Sequence, residues 1–366
     1  MFLSLLPTTL HGLKVFKCEN TEGSYLKKLR YSFDNQLFIS IYILKISIIM
    51  VKILVNDGME ADGKLLLEEA GYDVNTTSVP QSELGAVLPD YDVIIVRSAT
   101  QVRKELIDAC PKLKIIARGG VGVDNIDVDY ARSKGIEIIT TPAASSQSVA
   151  ELAMGHIFTL SRFLQRSNRE MATGNFKKLK SAYAEGIQLR GKTIGIIGFG
   201  RIGQELARIG MAMGMEVMPS DPFIKEIDLS LNLHNTTDIK LSVRLRSHSL
   251  SDVLKKADFI SVHTPSMGKA LIGAEEIAQM KDGAFLINCA RGGVIDEDAL
   301  LAALESGKLG GAGLDTFTNE PNPRLDLLNH PKISVTPHIG AATMEAQANI
   351  GLELADKIIA FFGDDK

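Results

Sequence analysis

From Val51 onward the chain alternates short apolar runs with longer stretches in which apolar positions return every three or four residues. The runs Ile53–Val55, Val74–Thr76, Val93–Val96, Ile115–Ala117 and Ile136–Ile139 predict strands, and Gly63–Ala70 and Arg103–Cys110 predict helices between them. Strands alternating with helices predict parallel sheets covered on both faces, because a parallel crossover usually carries a helix. Ser148-Val149-Ala150-Glu151 has the spacing of a capping box, which predicts a helix starting there. Its apolar pattern continues to about Leu164, so this helix is expected to bridge two units. A second series then predicts strands at Thr193–Ile197, Glu216–Met218, Phe259–His263, Ala284–Asn288, Gly311–Asp315 and Ile333–Thr336. Helices are expected at Gln204–Met213, Glu275–Lys281, Glu297–Ser306 and Thr343–Phe362. The expected fold class is α/β: two doubly wound parallel-sheet domains with a cleft between them. There is no repeat of solenoid period and no low-complexity segment.

Residues 1–49 do not share this pattern. Leu37–Ile49 is rich in Ile but broken by Lys45, too short and interrupted for a spanning helix. Met1–Leu10 has no cationic segment of the kind that opens a secretory signal. The strand pattern starts cleanly after Met50, so residues 1–49 are read as an upstream extension preceding a natural start near Met50; the alternative is a targeting or membrane-associating segment. Composition narrows the function classes. With 45% hydrophobic and 23% charged residues the chain resembles an ordinary soluble protein, and no membrane partner is expected. A net charge of −4 without a basic tail gives no patch for neutralising phosphates, so nucleic acid is not an expected partner. Cys18, Cys110 and Cys289 are odd in number and far apart. They read as free thiols in a reducing cytoplasm, with no disulfide scaffold and no metal site.

Gly198-Phe199-Gly200-Arg201-Ile202-Gly203 fits the GxGxxG pattern. The hexapeptide alone is a weak signal, but here it follows a strand pattern and opens a helical one. Gly198 permits the tight turn, Gly200 lets a pyrophosphate approach the backbone, and Gly203 lets helix and strand pack closely. The helix start, at Arg201 and Ile202, offers free N–H groups and the positive end of the dipole to the phosphates. Asp221 lies at the end of the next strand pattern, roughly twenty residues on, where a carboxylate accepts from the adenosine ribose hydroxyls and repels a 2′-phosphate. The expected cofactor is therefore NAD.

Sites in doubly wound sheets lie beyond the carboxyl ends of strands. In the second series four polar residues occupy such positions: His263, Arg291, Glu320 and His338. Arg291, followed by Gly292-Gly293, offers a guanidinium that grips a carboxylate bidentately. His338, in the turn Thr336-Pro337-His338-Ile339-Gly340, and His263 are both candidate bases, and spacing does not choose between them. Glu320 is placed to orient an imidazole and favour its protonated form.

Gly198–Gly203, Asp221-Pro222, His263-Thr264-Pro265, Asn288–Asp296, Gly311–Phe317, Glu320-Pro321 and Pro337–Ala342 together resemble the D-isomer-specific 2-hydroxyacid dehydrogenases. The resemblance spans residues 51–362. It implies hydride transfer at C2 of a 2-hydroxy acid, with Arg291, Glu320 and His338 as the catalytic trio and His338 as acid/base. It also implies that His263, Thr264, Pro265, Ala290, Asp315 and Gly340 lie along the cofactor. The family fold implies a flavodoxin-like substrate domain from residues 51–148 and 337–366, a Rossmann NAD-binding domain from residues 149–336 inserted into it, and a homodimer paired through the latter. Arg97-Ser98-Ala99-Thr100 and Arg118-Gly119-Gly120-Val121 resemble the phosphoglycerate-oxidising branch. This implies that Arg97, Ser98, Arg118, Gly119, Gly120 and Val121 contact a phosphorylated substrate. Gln101, where a basic residue is common, stands against the phosphate, and the segment after Pro265, Ser266–Ala270, is shorter than the family pattern beside the cofactor. The alternatives are another dehydrogenase of the family, acting on glyoxylate, hydroxypyruvate or D-lactate, and a corepressor-like NAD-sensing binding protein.

Overall fold

A computed structural model of the chain describes residues 50–172, 174–232 and 240–363, together with the segments Thr8–Leu10 and Leu13–Val15. The expectations for the N-terminal extension, including Leu37–Ile49 and Cys18, lie outside the described residues. The chain forms two compact units, Met1–Met50 and Val51–Lys366. In the first, Thr8–Leu10 and Leu13–Val15 pair antiparallel.

The second unit holds two parallel sheets. Strands β1 (Lys52–Val55), β2 (Asp73–Asn75), β3 (Val93–Val96), β4 (Ile115–Arg118) and β5 (Glu137–Thr140) assemble in the order β2-β1-β3-β4-β5. This is a flavodoxin-like order, and it reverses between β1 and β3. Strands β6 (Thr193–Ile197) and β7 (Glu216–Ser220) lie at one end of the other sheet. An antiparallel hairpin follows, β8 (Glu226–Asn232) with β9 (Lys240–Arg246). The sheet is completed by β10 (Phe259–Val262), β11 (Ala284–Asn288), β12 (Leu309–Leu314) and β13 (Ile333–Val335). Its order is β13-β12-β11-β10-β6-β7, reversing between β6 and β10. Every residue of β3, β6, β10 and β11 is buried, as expected of strands covered on both faces.

The C-terminal helix Met344–Gly363 returns to the first sheet. Its Ile350, Leu354, Ala355 and Ile358 share a core with Ile53, Val55, Ile95, Ile115 and Ala117. Each large apolar side chain buried this way contributes roughly 1.5–3 kcal/mol. The helix Ser146–Ser161 packs instead on the second sheet, in the core that holds Ile194, Ile196 and Phe285. The chain thus passes between the sheets twice, and at this crossing Ser148 Oγ and Thr343 Oγ1 are hydrogen-bonded at 2.8 Å.

Several predicted elements shift. The bridging helix begins two residues before Ser148, so Ser148 does not cap it. Glu151 accepts from Gln147 one turn away instead of closing a capping box. The helix ends at Ser161, where the chain turns through Phe163 with φ 55°, and a new helix, Leu164–Met171, starts. That helix, the helix Phe176–Ala182 and the β8–β9 hairpin were not among the predicted elements. Ile227, Leu229 and Leu245 of the hairpin join the core beneath the helix Arg201–Ala212.

Candidate active site

Beyond the reversal point of the second sheet, Gly198 leaves β6 with φ 88°, a conformation that glycine adopts at little cost. A Cβ there would stand 2.6 Å from the His263 carbonyl oxygen, so glycine also permits the 263–264 turn to close against the loop. Helix Arg201–Ala212 starts at Gly200 without a side-chain cap, leaving first-turn N–H groups of Arg201, Ile202 and Gly203 facing the loop. Around Gly200 a Cβ would meet nothing within 4 Å. Asp221 closes the crevice. Its carboxylate accepts from the backbone N–H of Phe199 at 2.8 Å, Phe223 at 2.8 Å and Ile224 at 3.0 Å. Burial works against its charge, but these three donors outweigh it and hold the carboxyl below its ordinary range. Thr264 Oγ1 and Thr316 Oγ1 are buried without a partner. An uncapped helix start, open space at Gly200 and the unpaired Thr264 hydroxyl beside Gly198 fit a dinucleotide.

The two candidate bases differ sharply. His263 Nε2 bonds Ser261 Oγ at 2.9 Å, its Nδ1 is buried without a partner, and burial pushes its pKa down to about 4. His338 is half exposed, and its Nδ1 lies 2.7 Å from Glu320 Oε2. The Glu320 hydrogen bond, against opposing burial, raises its pKa above the ordinary imidazole value. Burial also opposes the charge of Glu320, but His338 and the Phe317 N–H, 2.9 Å from Oε1, keep that carboxyl low. With Nδ1–H donating to Glu320, the neutral imidazole carries its lone pair on Nε2. His338 sits at φ 54°. A side-chain-bearing residue pays roughly 1–2 kcal/mol for that conformation, so its surroundings must enforce it. Asp315, 1% exposed, does so: its carbonyl accepts from His338 N–H, and its carboxylate from Ile339 and Gly340 N–H, each at 2.9 Å.

Arg291 follows β11, in a turn where Ala290 N–H donates to Asn288 Oδ1. Its Nη1 donates to the Ala290 carbonyl at 2.7 Å, and its Nε to Asp124 Oδ2 at 3.1 Å. Asp124 belongs to the loop after β4, so this ion pair crosses the cleft from one sheet to the other. Asp124 is therefore held by Arg291. Arg97 and Arg118 lie at the ends of adjacent strands, since Val96 registers with Arg118. Arg118 packs over Gly120, and its Nε is buried without a partner. Burial lowers its pKa to about 10, Arg291 and Arg97 push the same way, and Asp124 and Asp57 oppose them. Ser98 and Val121 are exposed beside these arginines and Gly119 is half-buried.

Two supports of this region were not foreseen. Asp57 accepts from Arg97 N–H at 2.7 Å and from Thr100 N–H and Oγ1–H at 3.1 and 2.6 Å. Asn125 donates to the carbonyls of Arg97 and Thr100. Asp57, just past β1, is the one signal at a strand end; Asn125 lies deeper in the loop after β4, and only the sheet order joins them. Among the described residues no group of three or more His, Cys, Asp or Glu side chains could hold a metal ion, and no helix is long and apolar enough to cross a membrane.

Comparison with known proteins agrees with this geometry. The NAD-binding domain model of the D-isomer specific 2-hydroxyacid dehydrogenases matches residues 154–340. The chain is 41% identical over 315 residues to a hydroxypyruvate reductase of Thermotoga maritima, covering 84% of this chain and 97% of that one. It is 42% identical over 312 residues to a D-3-phosphoglycerate dehydrogenase of Methanocaldococcus jannaschii, covering 84% of this chain but 57% of the relative, little more than half its length. Among solved structures, D-lactate dehydrogenase from Aquifex aeolicus in complex with NAD and lactic acid superposes with a TM-score of 0.69 at 30% identity, over 86% of this chain and 96% of the other. By fold, by nucleotide crevice and by these likenesses, the chain belongs to the D-isomer specific 2-hydroxyacid dehydrogenases.

Proposed function

We propose that this chain oxidises D-3-phosphoglycerate to 3-phosphohydroxypyruvate with NAD, a step of serine biosynthesis in the cytoplasm. In this reading residues 51–148 and 337–366 form the substrate domain and residues 149–336 the nucleotide domain. Gly198, Gly200, Arg201, Ile202 and Gly203 hold the pyrophosphate and Asp221 the adenosine ribose, while His263, Thr264, Pro265, Ala290, Asp315 and Gly340 line the rest of the cofactor. Bound NAD supplies the acceptor for the hydride leaving C2. Arg291 grips the substrate carboxylate through the edge of its guanidinium that Asp124 and Ala290 leave free. His338 Nε2 takes the hydroxyl proton, and Glu320 stabilises the imidazolium that forms.

The observation that carries the phosphate assignment is Arg118. It is part-buried, with a buried and unpartnered Nε, and lies near Arg97 and Arg291 while the nearby Asp124 is bound to Arg291. A dianionic phosphate would satisfy such a cation cluster better than a hydroxymethyl group. The test is kcat/KM for phosphohydroxypyruvate against hydroxypyruvate. The phosphorylated substrate is expected to be preferred, and Arg97→Ala to erode that preference while sparing hydroxypyruvate. One charge-assisted bond lost is worth about 1.5–3 kcal/mol. Equal values in the wild type would reject phosphate recognition.

The second reading is hydroxypyruvate reduction by the same trio. It is favoured by the Thermotoga relative, 97% of whose length the chain covers. In either case a homodimer is the expected assembly. Leu164, Met171 and Phe176, on the helices that follow the bridging helix, are 50%, 51% and 67% exposed, a surface a second copy would cover.

A further inference from the structure

Helix Ser146–Ser161 buries Val149, Ala150, Ala153, Met154, Ile157 and Leu160, yet among them stands His156, 2% exposed. An apolar residue would fill that place without needing hydrogen-bond partners. The second sheet is built to admit the imidazole: a Cβ at Gly313 would lie 2.7 Å from His156 Cβ and 2.9 Å from Cγ. His156 Nδ1 lies 2.9 Å from Ser334 Oγ, and Nε2 3.1 Å from Thr336 Oγ1.

The proton positions follow from the acceptor at the end of the line. Thr336 Oγ1–H donates to Asp315 Oδ1 at 2.6 Å. That hydroxyl has one proton, so toward His156 it must accept, and Nε2 carries the hydrogen. Burial lowers the pKa of His156, so the ring is neutral and Nδ1 accepts from Ser334. The result is a one-way chain of donors, Ser334 to His156 to Thr336 to Asp315. Its terminus is the residue that enforces the positive-φ turn at His338, through the N–H groups of His338, Ile339 and Gly340. Without a fixed Thr336, Asp315 Oδ1 would keep only the Ile339 donor, and its carboxylate could rotate away from the turn.

We propose that His156 is a positioning residue for proton transfer: it locks Thr336 as a donor to Asp315 and thereby holds the strained turn that presents His338 to the substrate. This rests on His338 being the acid/base. Misplacing a reacting group by an ångström can cost about a hundredfold, and a loosened turn, part of that. His156→Phe is therefore expected to lower kcat for keto-acid reduction about tenfold, leaving substrate KM and the fluorescence-measured Kd for NADH within about twofold. Thr336→Val should do the same, and the double variant should be no worse than either single one, because both break one chain. His156→Gln, which keeps a donor near the Nε2 position, should recover most of the loss. If His156→Phe does not fold, the same cycle is run with His156→Leu and Thr336→Val. In the unliganded wild type, 15N spectra should find the His156 proton on Nε2. Multiplicative losses in the double variant, a loss of Tm without a change in kcat, or a proton on Nδ1 would each overturn the proposal. His338→Ala separates the two readings. If it keeps kcat, the acid–base assignment falls; if it abolishes turnover while His156→Phe changes only Tm, this inference alone falls.

Discussion

Arg291 can be perturbed in two ways, through its partner or by crowding its guanidinium, and the two changes should differ in a calculable way. Asp124 holds its Nε across the cleft at 3.1 Å, with the arginine side chain 26% exposed and the carboxylate 73% exposed. A pair this open to solvent adds about 0–1 kcal/mol to stability. Asp124→Asn should therefore lower Tm by no more than about 2–4 °C. On the proposed carboxylate role of Arg291, the functional effect of Asp124 is orientation, because it secures the guanidinium through Nε. Losing that restraint should cost ~1 kcal/mol of binding, about a fivefold rise in KM, with kcat little changed. Gly122→Ala acts on the guanidinium itself. Its backbone needs no left-handed conformation, but the new Cβ would overlap Arg291 Nη2, approach Cζ to 2.7 Å and stand 2.9 Å from Asp124 Oδ2. The guanidinium must swing away and surrender its bidentate grip on a carboxylate, worth about 1.5–3 kcal/mol, or roughly tenfold to hundredfold in KM. Steady-state reduction of the keto acid measures both, with NADH Kd by fluorescence as the control that should not move. An unchanged KM in Gly122→Ala would refute the carboxylate role of Arg291. A lower KM in Asp124→Asn would show that Asp124 competes with substrate instead of orienting its receptor.

Glu320→Gln removes the main cause of the raised pKa of His338, so the imidazole should lose its proton at lower pH. On the proposed acid–base role, reduction draws on that proton, so its fall in rate with rising pH should move to lower pH; an unmoved profile contradicts the pairing. The same pair stabilises the fold fully below the ordinary imidazole pKa and loses that contribution as pH rises through the raised one. The Tm deficit of Glu320→Gln should thus be larger near about pH 6 than near about pH 9. Asp221→Asn can keep an acceptor oxygen for the N–H groups of Phe223 and Ile224, but its NH2 then faces the Phe199 N–H, and the charge that repels a 2′-phosphate is gone. The ratio of NADPH to NADH Kd should narrow about tenfold or more, with a Tm lower by about 2–4 °C for the lost hydrogen bond, and a constant ratio would reject Asp221 as the discriminating residue.

The parallel strands were legible because both their faces are buried, so Val93–Val96 and Ala284–Asn288 read as continuous apolar runs. The nucleotide crevice was legible because its parts are local: a strand, a glycine turn, a helix start and an acid at the next strand end. The β8–β9 hairpin was missed although Ile227, Leu229 and Leu231 alternate with polar residues, as do Leu241, Val243 and Leu245. A helix is the usual element between parallel strands, and that expectation hid a period of two. The start of the bridging helix was misjudged because Ser148 has the right spacing to cap, but its hydroxyl bonds Thr343. His263 and His338 look alike in sequence, each just past a strand. Burial of one ring and a carboxylate beside the other distinguish them, and neither is a local property. His156, Asp57 and Asn125 act through residues distant in sequence, so only the packing of helix on sheet and of strand on strand exposes them.

The return of the C-terminal helix to the first sheet has a consequence for synthesis. The contact between Ser148 and Thr343 spans 195 positions along the chain. All five strands of the first sheet precede the crossing, while the helix that covers Ile53, Val55, Ile95 and Ala117 follows it. At about 5–20 residues per second, a ribosome takes roughly 10–40 s to make the intervening segment. Throughout that interval this face of the nascent sheet has only the helix Ala61–Glu69 over it, and the second sheet can form before the first is fully covered. Newly made chains therefore carry a sticky apolar surface for tens of seconds, which is the window in which a holdase chaperone would bind and in which truncation before Met344 would leave an aggregation-prone product.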